Sequence, residues 1–94
     1  MKIAWTYTAT TNLESIRNYI HNENPTAAFK VVTKIFKNVE QLSEFPKSGK
    51  KGRVMGTREL VITDTPYIVS YHIQLDKIEI IQVFHNAMQW PEKL

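Results

Sequence analysis

Residues Arg58–Phe84 read RELVITDTPYIVSYHIQLDKIEIIQVF. This stretch decides the fold, because it divides into three apolar, β-branched runs separated by turn residues. Arg58–Ile62 is the first run, and Asp64-Thr65-Pro66 turns the chain. Tyr67–Ile73 is the second, Gln74–Asp76 a tight turn, and Lys77–Phe84 the third. Val, Ile, Tyr and Phe at this density favour strands. Turns this short make successive strands antiparallel neighbours. The centre of the molecule is therefore a sheet, and the rest of the chain has to cover it.

Upstream of the sheet, Phe45-Pro46 ends a long helical pattern, and Lys47–Thr57 (KSGKKGRVMGT) carries all three glycines of the chain. It reads as a loop that feeds a short strand at Arg53–Met55. Before it, Ala28, Val32, Ile35, Val39 and Leu42 make one apolar stripe of a helix from Pro25 to about Ser43. Asn24 is placed to cap that helix and Pro25 to occupy its first turn, where a missing N–H costs nothing. Ala9, Leu13, Ile16 and Ile20 form the stripe of an earlier helix, with Thr8 as its expected cap and an end near Asn22. The short link makes the two helices an antiparallel hairpin. Lys2–Thr6 (KIAWT) alternates as an opening strand. The tail from His85 to Leu94, with Trp90-Pro91, is expected on the surface. The reading is an α+β fold, β-α-α-β-β-β-β: an N-terminal strand, then a helical hairpin packed on one face of a mostly antiparallel sheet. The other face has no layer to cover it and is an expected binding surface. The stripe Leu13, Ile16, Ile20, Ile35, Val39 and Leu42 is expected to be buried between hairpin and sheet.

A chain of 94 residues is expected to form one domain, residues 1–94, because two cores of half that size need disulfides or metal. There is no cysteine, so a disulfide framework and a zinc ribbon are excluded. No second histidine stands at ligand spacing, so no metal is expected. The G-x-x-x-x-G-K-[ST] spacing of a phosphate loop is absent, and no cofactor is expected. No apolar run approaches the ~20 residues that cross a bilayer, and no apolar leader opens the chain, so a cytoplasmic place and no membrane contact are expected.

The net charge of +3 is unevenly spread. Lys47, Lys50, Lys51, Arg53 and Arg58 fall within residues 47–58 with no acid among them. A focused positive patch attracts an anionic partner, either nucleic acid or an acidic protein segment. Five lysines and arginines on a loop are ordinarily only solubilising. Here they lead into a strand on which Arg58 alternates with Leu60 and Ile62, so Arg58 stands on a rigid element, where its fork suits ordered recognition. Tyr67 and Tyr71 are four apart on a strand and face the same way, while His72 faces the other. A tyrosine such as Tyr71 is more often a sheet residue with a bonded hydroxyl than a catalytic group. His85 follows Lys77, Glu79, Ile81 and Val83 along one side of the last strand and emerges at a sheet end. No Ser-His-Asp or paired-carboxylate pattern is present.

Several motifs in order resemble the RelE/ParE superfamily of bacterial toxins from type II toxin–antitoxin modules. They are W-T-x-x-A-x-x-x-L-x-x-I-R-x-Y-I at Trp5–Ile20, N-P-x-A-A at Asn24–Ala28 and L-x-x-F-P-x-x-G at Leu42–Gly49. To these are added G-R-V-x-G-T-R-E-L-V at Gly52–Val61, P-Y-I-V-x-Y at Pro66–Tyr71 and V-x-H-x-A-x-x-W-P at Val83–Pro91. The resemblance implies a hairpin on a curved antiparallel sheet, an antitoxin partner and a role in plasmid stabilisation. It also implies one of two targets. RelE-like members are ribosome-dependent mRNA endonucleases (mRNA interferases). For that chemistry the matching residues are Lys50, Lys51, Arg53, Arg58, Tyr71 and His85, with Arg58, His85 and Lys51 as the catalytic set. The cations would hold the phosphate while His85 or a lysine moves the proton of the 2′-hydroxyl. ParE-like members block DNA gyrase and are not known as nucleases. Met88 stands where many relatives carry Arg, and the long hairpin and H-x-x-M at His85–Met88 resemble ParE-like members. The resemblance therefore implies a gyrase inhibitor, with target- or antitoxin-binding residues among Lys47, Lys50, Lys51, Arg53, Arg58, Tyr67 and Tyr71.

Overall fold

A computed structural model describes residues 1–87. The elements are β1 (Lys2–Trp5), α1 (Tyr7–His21), α2 (Pro25–Glu40), a 3₁₀ turn (Gln41–Ser43), β2 (Lys50–Lys51), β3 (Arg58–Val61), β4 (Tyr67–Ile73) and β5 (Lys77–His85). The α+β order β-α-α-β-β-β-β stands as expected. The strands form one sheet in the order β1-β5-β4-β3-β2. β1 runs parallel to β5, and every other pair is antiparallel.

Local chemistry sets the boundaries. Thr6, not Thr8, caps α1: its Oγ1 accepts the N–H of Ala9 at 3.0 Å. The physical reason is that Thr6 is still extended, with its own N–H bonded to the Ile80 carbonyl at 3.1 Å, so strand and helix share one residue. Asn24 caps α2 through Ala27, and Pro25 opens its first turn. The α-helix ends at Glu40 and tightens into 3₁₀ geometry, which drops Leu42 into the core.

The hairpin covers one face of the sheet. Ile35, Val39 and Leu42 are fully buried against Ile62, Tyr67, Val69, Tyr71, Ile78, Ile80 and Val83. Of the α1 stripe only Ala9 is fully buried; Leu13, Ile16 and Ile20 are half-buried and pack at the margin of this cluster. The expected burial of the whole stripe is corrected here. α1 lies over β5 and α2, not over the middle of the sheet. Trp5 closes the β1 side by stacking on Phe36 at 5.3 Å.

Two strand assignments also change. The short strand is Lys50–Lys51, not Arg53–Met55. The Gly52 N–H bonds the Thr57 carbonyl at 2.8 Å, so Arg53–Gly56 become the loop of a hairpin between β2 and β3. Gly56 takes φ 84°, the left-handed conformation that glycine tolerates. On β5, Ser70 pairs with Gln82 but Tyr71 with Ile80, leaving Ile81 as the extra residue of a bulge. Beyond the bulge the strand presents its side chains to opposite faces, so Val83 joins the core and His85 lies on the hairpin face, opposite to Lys77 and Glu79.

The second sheet face is not open along its length. Glu59, Ile68, Ser70 and Phe84 on it are buried, and the Arg53 guanidinium lies 5.5 Å above the Phe84 ring. His72 and Glu79 pair across strands at 2.7 Å on the same face. Neither helix among the described residues is long and apolar enough to cross a membrane.

Candidate functional site

The basic stretch begins where Pro46 turns the chain away from α2. Its first half is clasped by two side chains from the sheet. The Tyr71 hydroxyl donates to the Pro46 carbonyl at 2.7 Å and accepts the Gly49 N–H at 3.0 Å. Arg58, its cross-strand neighbour, donates from Nη1 to the Gly49 carbonyl at 2.6 Å and to that of Lys47 at 3.5 Å. Gly49 sits so close that a Cβ there would come within 2.7 Å of the Tyr71 oxygen and 2.9 Å of the Glu59 carbonyl. Burial pushes the Tyr71 phenol up, partly opposed by the Gly49 N–H and the Arg58 charge. It therefore stays protonated at neutral pH and remains a donor. Tyr71 is thus a sheet residue with a bonded hydroxyl, and Arg58 turns inward to hold a loop.

The second half is held by a carboxylate. Glu59 is 3 % exposed, unusual for its type. Its Oε2 accepts the Arg53 N–H at 2.9 Å, and the Arg53 Nε lies 3.6 Å away. The start of the hairpin loop is thereby tied to the second face, with the Arg53 side chain laid across it. Neither Glu59 nor Gly49 stands out in the sequence as a site residue. The signal for Glu59 is its place between Arg58 and Leu60, where alternation sets a carboxylate on the face opposite the hairpin.

This leaves the five cations in two groups. Arg53 and Arg58 are engaged internally. Lys47, Lys50 and Lys51 are exposed and have no acidic partner among the described residues. They stand on and beside β2, the last strand of the sheet.

Tyr67 and His85 lie elsewhere. Tyr67 is buried, and its ring meets His85 edge-on at 5.7 Å. Burial and then Tyr19 push its phenol up. Both residues line a groove of about 530 Å³ between α1 and the end of β5. Asn12 on the same helix accepts the Val83 N–H at 3.0 Å, closing the edge that β1 leaves uncovered. His85 pairs with Tyr67, whereas Arg58 pairs with Tyr71, so the two lie about 13 Å apart along the strands. Arg53 is on the opposite face from His85. The expected catalytic set of Arg58, His85 and Lys51 is not gathered around one volume. Met88 lies outside the described residues, as do Trp90-Pro91. No group of three histidine, aspartate or glutamate side chains among the described residues is placed to share a metal ion.

Comparison with known proteins agrees with this architecture. Residues 3–90 match the family model described as ParE toxin of type II toxin-antitoxin system, parDE. The chain is 45 % identical over 93 residues to the protein named "Putative toxin Y4kP" of Sinorhizobium fredii, covering 99 % of this chain and 96 % of that one. It is 29 % identical over 86 residues to Toxin RelE2 of Caulobacter vibrioides, covering 92 % and 96 %. Its fold matches a chain of the chromosomal ParDE TA system from P. aeruginosa with a TM-score of 0.85, at 24 % identity, covering 90 % and 95 %. Hairpin, sheet and ordered motifs define a toxin of the RelE/ParE superfamily. Within it, the chain belongs to the ParE toxin family of type II toxin–antitoxin systems.

Proposed function

We propose that this ParE-type toxin acts by binding, inhibiting DNA gyrase in the cytoplasm, and that a cognate antitoxin neutralises it. The observation that carries this reading is the division of the charged residues. A phosphoryl-transfer site needs its proton carrier and its charge-stabilising cations around one reacting group. Here Arg58 bonds loop carbonyls, Tyr71 is buried beneath the same loop, and His85 stands at the other end of the sheet. Such an arrangement supports a surface that presents cations over one that performs chemistry with them. Lys47, Lys50 and Lys51 are the groups through which an acidic partner meets the chain, and no cofactor is needed.

The test runs two assays on one preparation: supercoiling of relaxed plasmid by gyrase, and message cleavage on translating ribosomes. Inhibited supercoiling with intact message is the expected result. Cleaved message that becomes intact on His85→Ala or Arg58→Ala would replace this reading with the mRNA interferase.

A further inference from the structure

Where the basic hairpin meets the end of β4 there is a cleft of about 370 Å³. Its apolar wall is Val54, Met55 and Ile73, and its charged rim is Lys51 and Arg58. Met55 is 97 % exposed, so a large apolar side chain projects into solvent at the tip of a defined hairpin. Val54 and Ile73 beside it are exposed as well. Three features coincide here. Apolar side chains are grouped, not scattered as on an ordinary surface. Lys51, with no acidic partner among the described residues, stands next to them, and Lys50 lies one residue away on the other face of β2. Lys51 also occupies the outermost strand: the Gly52 N–H faces β3, so alternation turns the Lys51 N–H and carbonyl outward from the sheet.

We propose that this cleft is the seat of an extended acidic–apolar segment of the antitoxin, a proposal that rests on the toxin's having such a partner. An apolar side chain of the segment packs among Val54, Met55 and Ile73. Of the carboxylates flanking it, one on the cleft face meets Lys51 and one on the opposite face meets Lys50, and its backbone exchanges hydrogen bonds with Lys51 at the free edge. Charge complementarity selects this cleft over the α1–β5 groove, whose lining contains neither lysine nor arginine. The apolar wall selects a peptide over a nucleic acid, because phosphates have no use for Met55. The Glu59–Arg53 pair holds the hairpin that carries Val54 and Met55, which makes Glu59 a positioning residue for the cleft.

The experiment uses the full chain and, as candidate antitoxin, the product of a short reading frame sought beside its gene. Hydrogen exchange of the complex against the free toxin locates the contact, and Kd is measured for wild type, Met55→Asp and Lys51→Glu. Both side chains are exposed, so thermal melts of the variants should match wild type. Protection is expected at residues 50–57 and 73, and each variant should bind at least about tenfold more weakly. The wild-type Kd should also weaken with added salt. A tight complex protected only along α1 and β5, with both variants binding as wild type, overturns the cleft and leaves the antitoxin reading standing. Absence of any complex defeats that reading, and the cleft proposal with it. A duplex oligonucleotide that binds at Lys50 and Lys51 unaffected by Met55→Asp would make the patch a nucleic-acid contact and overturn the peptide assignment.

Discussion

The α2 side of the molecule and the segment from Pro46 to Glu59 are ordered by different means. Ile35, Val39 and Leu42 hold α2 to the sheet by apolar burial, which is non-directional and spread over many neighbours. Residues 46–59 bury little apolar surface. They are held by a few directed bonds: Tyr71 to Pro46 and Gly49, Arg58 to Gly49, Glu59 to Arg53. The first region tolerates conservative exchange at each position, since no one contact dominates. The second depends on particular atoms. A toxin that binds by presenting cations needs the second kind of order, because lysines on an unheld loop must be immobilised again on binding.

The largest expected effect lies on the hairpin side. Ile35→Ala, in the fully buried cluster, should cost about 2–5 kcal/mol in urea unfolding, through lost burial and the cavity left behind. Such a loss is a large share of a small domain's stability. A cost near zero would mean that α2 is not the lid of this core.

Gly49→Ala probes the clasp by overfilling it. Its new methyl meets the Tyr71 oxygen and the Glu59 backbone, and the expected cost is about 1–3 kcal/mol. An unchanged melt would show that the loop does not sit where the clasp requires.

Tyr71→Phe removes the hydroxyl and leaves the Gly49 N–H and Pro46 carbonyl without their partner, at a cost of about 1–3 kcal/mol. This deficit has a pH signature. Burial raises the folded phenol above its ordinary value of 10.0, so the folded chain holds that proton more tightly than the unfolded one. Its contribution is whole below about pH 10 and is lost as pH rises through the folded value. Urea unfolding of wild type and Tyr71→Phe at neutral and alkaline pH should therefore show the gap closing in alkali. A gap that widens would contradict the bonding described.

The smallest effect belongs to the exposed pair of Lys34 and Asp64 at 3.2 Å. Lys34→Ala should change stability by less than about 1 kcal/mol, because water and salt screen such pairs. A larger loss would show that directed bonds matter on the hairpin side too.

The same division explains how much of the molecule is legible in its sequence. Helix stripes and strand runs are periodic, so the hairpin, β3, β4 and β5 can be read within a residue or two. The clasp has no period. Gly52 closes on Thr57, and so places β2 at Lys50–Lys51, while Glu59 captures the Arg53 N–H across the loop, and no periodic pattern announces either bond. The face of His85 departs from simple alternation because one extra residue, the second isoleucine of Ile80-Ile81, forms a bulge. Arg58 carries its own signal. It alternates with Leu60 and Ile62, which pack on the hairpin side, so its guanidinium is set on that face, where it bonds the Gly49 carbonyl. The lysines are visible in the sequence as a cluster, but which of the five cations are free depends on bonds between distant residues.

In the proposed function Arg58 builds the basic site and the lysines meet the antitoxin, a division of roles between neighbouring cations. It is tested most directly by comparing Arg58→Ala with Lys50→Ala/Lys51→Ala in one experiment, reading the urea midpoint and the Kd for the antitoxin on each protein. Arg58→Ala should lower the midpoint markedly, since the Gly49 carbonyl loses its donor. The lysine pair should leave the midpoint where it is and weaken antitoxin binding. A stable Arg58→Ala protein, or a lysine variant that binds as tightly as wild type, would contradict it.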